Sequence, residues 1–259
     1  MLNFFTDPYK DELLYSALAR YHYYSGNIDF LDTIEECFGK RTVIPTLEIG
    51  SYLDVLAKNI GGKYTSDYLI NKHTLLPYYL PFMPEERKKE VIDRVKHEDC
   101  NGVYNIIGLL SGVFKKRNEI YYCPSCAKLE LETYSQAYIH REHQLSNIIL
   151  CPHHGQLLRK FPLKLVDRSR VEYINLYEGL LCTDLEYKEI ENYSEHLKLA
   201  KDALWIINSN LDNINKSTIR DAYSNLLYEK GLVNNNKVVS QNELCIQFNA
   251  FYKKTFWNR

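Results

Sequence analysis

Over the first hundred residues the apolar positions recur with a helical period. Leu14, Leu18 and Tyr21 fall on one face, and Gly26 closes the pattern. Asp7 followed by Pro8 predicts the start of that helix, a carboxylate cap and then proline at the first helical position. Further helices are predicted from Phe30 to Phe38, from Tyr52 to Ile60 before Gly61 and Gly62, and from about Ser66 to His73. Pro77, Pro81 and Pro84 then interrupt the chain, so LLPYYLPFMP reads as a packed aromatic connector. Glu85 and Glu86 suit the N-terminus of another helix, with Val91, Ile92 and Val95 on its inner side.

Between 119 and 165 the pattern changes. EIYYCPSC and NIILCPHHGQLL are short β-rich runs, each ending in a pair of potential ligands, and TYSQAYIHREHQL between them reads as a helix or a turn. Helical patterning returns after Arg170, with a long helix predicted from Leu185 to Ile207. Thr218-x-x-Asp221 and Ser240-x-x-Glu243 are capping-box-like starts of two helices separated by GLVNNNKVV. Two such helices suggest a helix-turn-helix-like unit, in which Gln241, Asn242, Gln247 and Lys253 are either groove-facing or simply the solvent face. The expectation is a mainly α protein with a small central β-containing zinc-ribbon or zinc-finger module and helical segments on both sides. Its parts are 1–118, 119–165 and 166–259.

Composition narrows the class. The 259 residues are 45% hydrophobic and 25% charged, values of a globular chain rather than a disordered one. No run approaches the ~20 apolar residues of a membrane helix. The opening MLNFFTDPYKDELLYS has neither a basic leader nor an apolar h-region, which predicts a cytoplasmic protein. The net charge is −1, but ten Lys/Arg and five Asp/Glu between Lys115 and Arg170 give that segment +5 and leave −6 elsewhere. A local basic segment points to an anionic partner, with Lys115, Lys116, Arg117, Arg159 and Lys160 as candidate contacts.

The strongest chemical signal lies in the same segment. Of seven cysteines, Cys37, Cys100, Cys182 and Cys245 are scattered, and each is expected to act as a small buried hydrophobe. Their odd total argues against a disulfide framework. Cys123-Pro-Ser-Cys126 and Cys151-Pro-His153-His154 form a CxxC…CxxH pattern with 24 residues between the pairs. Two ligands with two residues between them point from a tight turn into one tetrahedral site, and two such turns close a structural Zn²⁺ site with no position for water. The C-x-x-H spacing favours His154 over His153. A redox CxxC needs a βαβ setting and no second ligand pair downstream. A zinc deaminase places H-x-E ahead of P-C-x-x-C, whereas His140-Arg141-Glu142 follows the CxxC here. A nuclease built on His140 and His143 lacks an acidic metal-binding pattern. On a helix His140, His143 and Gln144 share a face; with Arg141 they are candidates to orient the ligands, brace the loop or touch phosphate.

YYCPSC, YIHREHQL and ILCPHHGQLL together resemble the zinc-binding signature of the TnsD/TniQ family of transposition-targeting proteins. FFTDPYKDELLYSALARYHYYSGN is similar to the family's opening segment, HTLLPYYLPF to an internal block, and 219–252 to a later one. The resemblance implies Cys123, Cys126, Cys151 and His154 as ligands of one structural Zn²⁺, and a TniQ-type domain over the helical N-terminal part. It also implies a bacterial, nucleoid-associated, non-enzymatic target-selection factor. Such a factor binds double-stranded target DNA or rides on a guide complex such as a CRISPR effector, and recruits a TnsC-type AAA+ ATPase and the transposase. A protein-only zinc-stabilised adaptor is the alternative, and a zinc-dependent nucleic-acid enzyme a remote one.

Overall fold

The computed structural model describes residues 1–100, 102–109, 117, 119–165, 168–184, 189–209, 211, 216–233 and 238–252, with backbone alone at 216–218 and 251–252. Among the described residues the protein is mainly helical, with one two-stranded sheet. Helix α1, Leu14–Ser25, is its hub: every residue from Leu14 to Tyr21 is buried. A helix apolar on most of its circumference sits inside a fold rather than on it. Gly26 ends it at φ 77°, a conformation that strains any residue with a Cβ.

The Asp7–Pro8 start is wrong for α1, which begins at Leu14. The preceding residues have other partners. The Glu12 backbone pairs with His140 in an antiparallel bridge, and its carboxylate accepts the Tyr9 N–H at 2.8 Å. Asp7 instead accepts from the Tyr64 hydroxyl and from Lys63 at 3.3 Å. Two polar side chains inside α1 also need partners. Arg20 donates to both Glu12 oxygens at 3.0 Å and to the Asp7 carbonyl at 2.7 Å, and the Ser16 hydroxyl donates to Glu12 at 2.7 Å. Burial raises the Glu12 carboxyl above its ordinary range while Arg20 and these donors oppose it.

Helix α2, Phe30–Phe38, is capped by Asp29, whose carboxylate accepts the Leu31 N–H at 2.8 Å. α3 spans Leu53–Ile60 and α4 spans Ser66–His73 with Thr65 as cap. The LLPYYLPFMP connector is two short helical turns, α5 at Leu76–Tyr79 and a 3₁₀ turn at Leu80–Phe82. Prolines fit there because they occupy first-turn positions, where an N–H has no intrahelical partner. α6, Glu85–His97, buries Val91 and Val95, and α7 is one turn at Val103–Ile106.

Strand β1, Glu119–Tyr122, pairs antiparallel with β2, Arg159–Lys164, with Tyr121 opposite Lys160, Tyr122 opposite Arg159, and an irregularity between Glu119 and Tyr121. The run NIILCPHHGQLL is therefore not the second strand; it contributes one bridge, Leu150 to Leu157, around a tight turn. α8, Pro124–Tyr134, follows β1 directly and had no counterpart in the periodicity. α9 is Tyr193–Asn208, shorter than the predicted 185–207: residues 189–192 are non-helical, Asn192 is left-handed at φ 56°, and 185–188 lie outside the described residues. α10 is Lys216–Glu229 and α11 Gln241–Tyr252, with a Val233–Val239 bridge between them.

One hydrophobic cluster runs from Leu13 to Ile207, taking in α1, the strand pair and α9. Cys37 and Cys100 are buried in it as expected, but Cys182 and Cys245 are exposed. Those two lie on a peripheral loop and on α11, whose described side chains face largely outward. Among the described residues no helix is long and apolar enough to cross a membrane.

His73 closes α4 at 3% exposure, its Nδ1 2.8 Å from the Glu12 carbonyl oxygen. Burial pulls its pKa down from 6.5 to about 4. The folded state therefore keeps His73 neutral while the unfolded chain protonates it, so stability falls as pH drops from about 6.5 toward 4. His73→Gln should remove that share of the acid loss, up to about 3 kcal/mol at roughly 1.4 kcal/mol per pKa unit. Urea midpoints compared between pH 7 and pH 4.5 measure it; parallel curves for the two proteins would contradict it.

A candidate metal centre and its buried polar surround

The two ligand pairs reach one point by different local routes. Cys123 is the N-cap of α8 and Cys126 sits in its first turn, with Pro124 at a first-turn position. Extended β1 delivers Cys123, and the helical turn brings Cys126 round beside it; the Ala127 N–H closes the turn on the Cys123 carbonyl at 3.0 Å. Cys151 and His154 come from the turn inside the Leu150–Leu157 bridge. There Cys151 N–H donates to Gln156 at 2.8 Å and Gly155 N–H donates back to Cys151 at 2.8 Å. Gly155 suits its φ of 65°; a Cβ there would also meet the Tyr193 hydroxyl at 2.2 Å, so that side-chain end would have to move.

The ligand atoms of Cys123, Cys126, Cys151 and His154 lie within 4.8 Å of one another, a group that could hold a metal ion. His154 Nδ1 is 3.6, 3.3 and 3.7 Å from the sulfurs of Cys123, Cys126 and Cys151, and the Cys126 and Cys151 sulfurs are 3.7 Å apart. Thiolates at ~2.3 Å and an imidazole nitrogen at ~2.0 Å around a tetrahedral ion stand roughly 3.5–3.8 Å from one another, so the residues fit the group. A disulfide, at ~2.05 Å, does not fit that sulfur separation. Three sulfurs this close cannot all be thiolates without a cation. Hydrogen bonding with Cys126 and Cys151 holds Cys123 far below the thiol range, and the same contact with Cys123 drives Cys126 far above it. The sulfurs are buried, while the His154 ring reaches the surface.

Behind the cage lies a polar cluster. His140 donates from Nε2 to Glu130, and its Nδ1 is 3.1 Å from Glu142 Oε1. His153 Nε2 reaches the same Glu142 oxygen at 3.1 Å. Burial alone would pull His140 down, but Glu142 and Glu130 outweigh it and hold the imidazolium to about pH 10. An aromatic stack leads away from this point: His140 on Tyr138 at 4.5 Å, Tyr138 on Tyr9 at 4.9 Å, and Arg20 over Tyr9 at 4.1 Å. The cluster is thus continuous with the buried Arg20–Glu12 pair, which joins α1 to the residues before it.

The structure places the other sequence candidates as follows. His140, Arg141, His143 and Gln144 are 8%, 1%, 0% and 2% exposed, so none presents a face to phosphate. They do not share an α-helical face either: only Glu142–Gln144 form a 3₁₀ turn, because His140, two residues before it, is bridged to Glu12. Arg141 pairs with Asp11 at 2.9 Å and donates to the Asn71 carbonyl at 2.8 Å and to Asn208 at 2.6 Å, tying α4 and α9 to the approach to α1. Gln144 pairs with the backbone of β1 as a neighbouring strand would. It accepts the Tyr121 N–H at 2.9 Å and donates to the Tyr121 carbonyl at 2.7 Å and the His140 carbonyl at 3.0 Å.

The basic candidates divide. Arg117 stacks over Tyr121 at 4.0 Å and donates to the His143 and Ile148 carbonyls. Burial pulls its pKa down to about 10. Arg159 donates to the Asp184 carbonyl at 2.8 Å. Lys160, 60% exposed, pairs with Glu119 at 2.8 Å. Lys115, Lys116 and Lys253 lie outside the described residues. Gln241, Asn242 and Gln247 are exposed on α11.

Sequence reasoning missed Asp11, Glu12, Glu130 and Glu142, the acids that partner the buried cations. One signal was present: Glu12, Ser16 and Arg20, spaced by four, make a polar stripe through an apolar helix. Glu130 carried none, lying in the ordinary run KLELE.

The comparisons with known proteins agree with this geometry. A family model named TniQ matches residues 3–158. The Transposon Tn7 transposition protein TnsD of Escherichia coli is 34% identical over 182 residues, covering 70% of this chain and 35% of that protein. The chain thus spans about a third of that relative's length.

Gln144→Ala removes three hydrogen bonds and leaves the β1 backbone unsatisfied, so it should cost about 1–3 kcal/mol. Lys160→Ala breaks an exposed pair and should stay within roughly 0–1 kcal/mol. Urea denaturation of both checks the ranking; equal losses would refute the bracing role of Gln144.

Proposed function

The chain belongs to the TniQ family, and from that premise we propose that it is a non-enzymatic target-selection factor of a transposon. In this reading it engages double-stranded target DNA or a guide complex and recruits a TnsC-type AAA+ ATPase, which brings in the transposase. The observation that carries the reading is the match over residues 3–158, which takes in all four candidate ligands. Relatedness to a Tn7 transposition protein supports it further. The three segments 1–118, 119–165 and 166–259 are proposed as a TniQ-type helical part, a zinc-binding part and a C-terminal helical part with α10 and α11 as a helix-turn-helix-like pair. The exposure of Gln241, Asn242 and Gln247 supports the last.

We assign Cys123, Cys126, Cys151 and His154 as ligands of one structural Zn²⁺. Three thiolates and one imidazole select zinc among the common divalent ions, and a full protein shell gives it a structural rather than a hydrolytic role. It cross-links the end of β1 and the start of α8 to the turn before β2. Metal binding and folding are coupled in such sites. Cys126→Ser and His154→Ala should therefore release zinc and melt the middle of the chain, whereas His153→Ala should retain the ion. Elemental analysis with circular dichroism checks this; equal damage from His153→Ala and His154→Ala would overturn the assignment.

DNA binding by the basic segment rests on fewer residues than composition suggested, because Arg141, Arg117 and Arg159 are engaged within the fold. The test is a pull-down of the AAA+ ATPase by the full chain, together with DNA affinity between 50 and 200 mM salt. Steep loss of affinity with salt supports direct phosphate contact. ATPase capture with flat or absent DNA binding supports the protein-only adaptor. Neither interaction would sink the target-selection reading.

A further inference from the structure

Beside the Cys₃His cage stands a second convergence of ligand atoms. One ligand atom each from His140, Glu142 and His143 lies within 4.8 Å of the others, and the three residues are 8%, 1% and 0% exposed. Both ring nitrogens of His143 and Oε2 of Glu142 are buried with no hydrogen-bond partner. An orphaned buried imidazole beside an orphaned carboxylate oxygen is an unfavourable arrangement that some further group must relieve. The other carboxylate oxygen is met by histidine nitrogens. His140 Nδ1 and His153 Nε2 both approach Glu142 Oε1 at 3.1 Å. Donors held ~2.0 Å from a four-coordinate ion stand roughly 3.3 Å apart.

The outer partner of such a site is also in place. His140 Nε2 is held by the Glu130 carboxylate, which fixes the ring with Nδ1 toward Glu142; an ion bound there takes the place of the Nδ1 proton that the metal-free imidazolium carries. A carboxylate on the far nitrogen is the arrangement that orients metal-bound histidines and raises their basicity. His153, with 41% of its side chain exposed, meets the same Glu142 oxygen from the solvent side. The Cys126 sulfur of the neighbouring cage lies within 4.8 Å of a Glu130 oxygen and a His140 nitrogen, so positive charge is favoured here.

We propose that His140, Glu142 and His143 form a second, nitrogen- and oxygen-donating site for a divalent transition-metal ion next to the Cys₃His cage. Imidazole and carboxylate donors suit zinc or another first-row ion and disfavour the soft ions that thiolates select. The inference rests on metal loading of the neighbouring cage only for the charge argument. The orphaned groups and the converging nitrogens stand without it.

The test is metal stoichiometry and cobalt spectroscopy on the full chain, with Co²⁺ alone as the probe. Wild-type protein loaded with Co²⁺ and desalted should hold two equivalents: one giving intense sulfur-to-cobalt charge transfer in the near ultraviolet, one giving only weak visible bands. His143→Gln and Glu142→Gln should each lose one equivalent and keep the charge-transfer band, which also shows that the variant is folded. One equivalent in the wild type, with charge transfer intact, would overturn the second site and leave the cage standing. Two equivalents that persist in both variants would overturn it as well, since the second ion would then lie elsewhere. No charge-transfer band would refute the cage instead, and a single equivalent with weak visible bands alone would uphold the second site without it.

Discussion

Three sulfurs and an imidazole brought within hydrogen-bonding distance, most of them out of water, set the terms for the centre of this protein. Thiolates so placed repel one another, and protons shared among them leave one sulfur charged and its neighbours neutral. A divalent cation held there would resolve the conflict and join two turns separated by 24 residues of sequence. The small sheet is too short to hold those turns in place alone: β1 has four residues and β2 six, and a two-stranded pair is marginal by itself. The cage and the sheet therefore support each other, with Gln144 completing the β1 edge as a third strand would.

Around this point the fold tolerates an unusual amount of buried charge. Arg20 and Glu12 lie inside the central helix and its approach, Arg141 and Asp11 tie α4 and α9 to it, and Glu130, His140 and Glu142 lie behind the cage. Buried ion pairs are weak sources of stability, because desolvation offsets most of the attraction. They are demanding about geometry, since a partner removed leaves a bare charge. The network therefore serves registration: it fixes how the N-terminal helices meet the metal-bearing segment, through contacts more than a hundred residues apart in sequence.

What the sequence disclosed follows from how local each signal is. Helices α2, α3 and α4 were legible to within a residue because their apolar repeat is local, with Gly39 and Gly61 ending α2 and α3. The ligand quartet was legible because two tight turns write their geometry into spacing. The start of α1 was not, since Glu12 is drawn into a bridge with His140, a partner no local pattern announces. The same long-range bridge broke the supposed helical face of His140, His143 and Gln144. A basic count over 115–170 overstated the free cations, because composition does not tell an arginine that faces solvent from one that holds carbonyl oxygens. The acids of the buried network were invisible for the same reason: a glutamate in a helix reads as surface until its partner is known.

The central proposal is that a sulfur-bound ion pins the two turns that carry Cys123, Cys126, Cys151 and His154, within the part of the chain that the TniQ family model matches. X-ray absorption at the zinc edge on the purified protein addresses it most directly. The account predicts a sulfur shell near ~2.3 Å accompanied by nitrogen near ~2.0 Å. A spectrum with nitrogen and oxygen neighbours alone, or a protein with no bound metal, would contradict it.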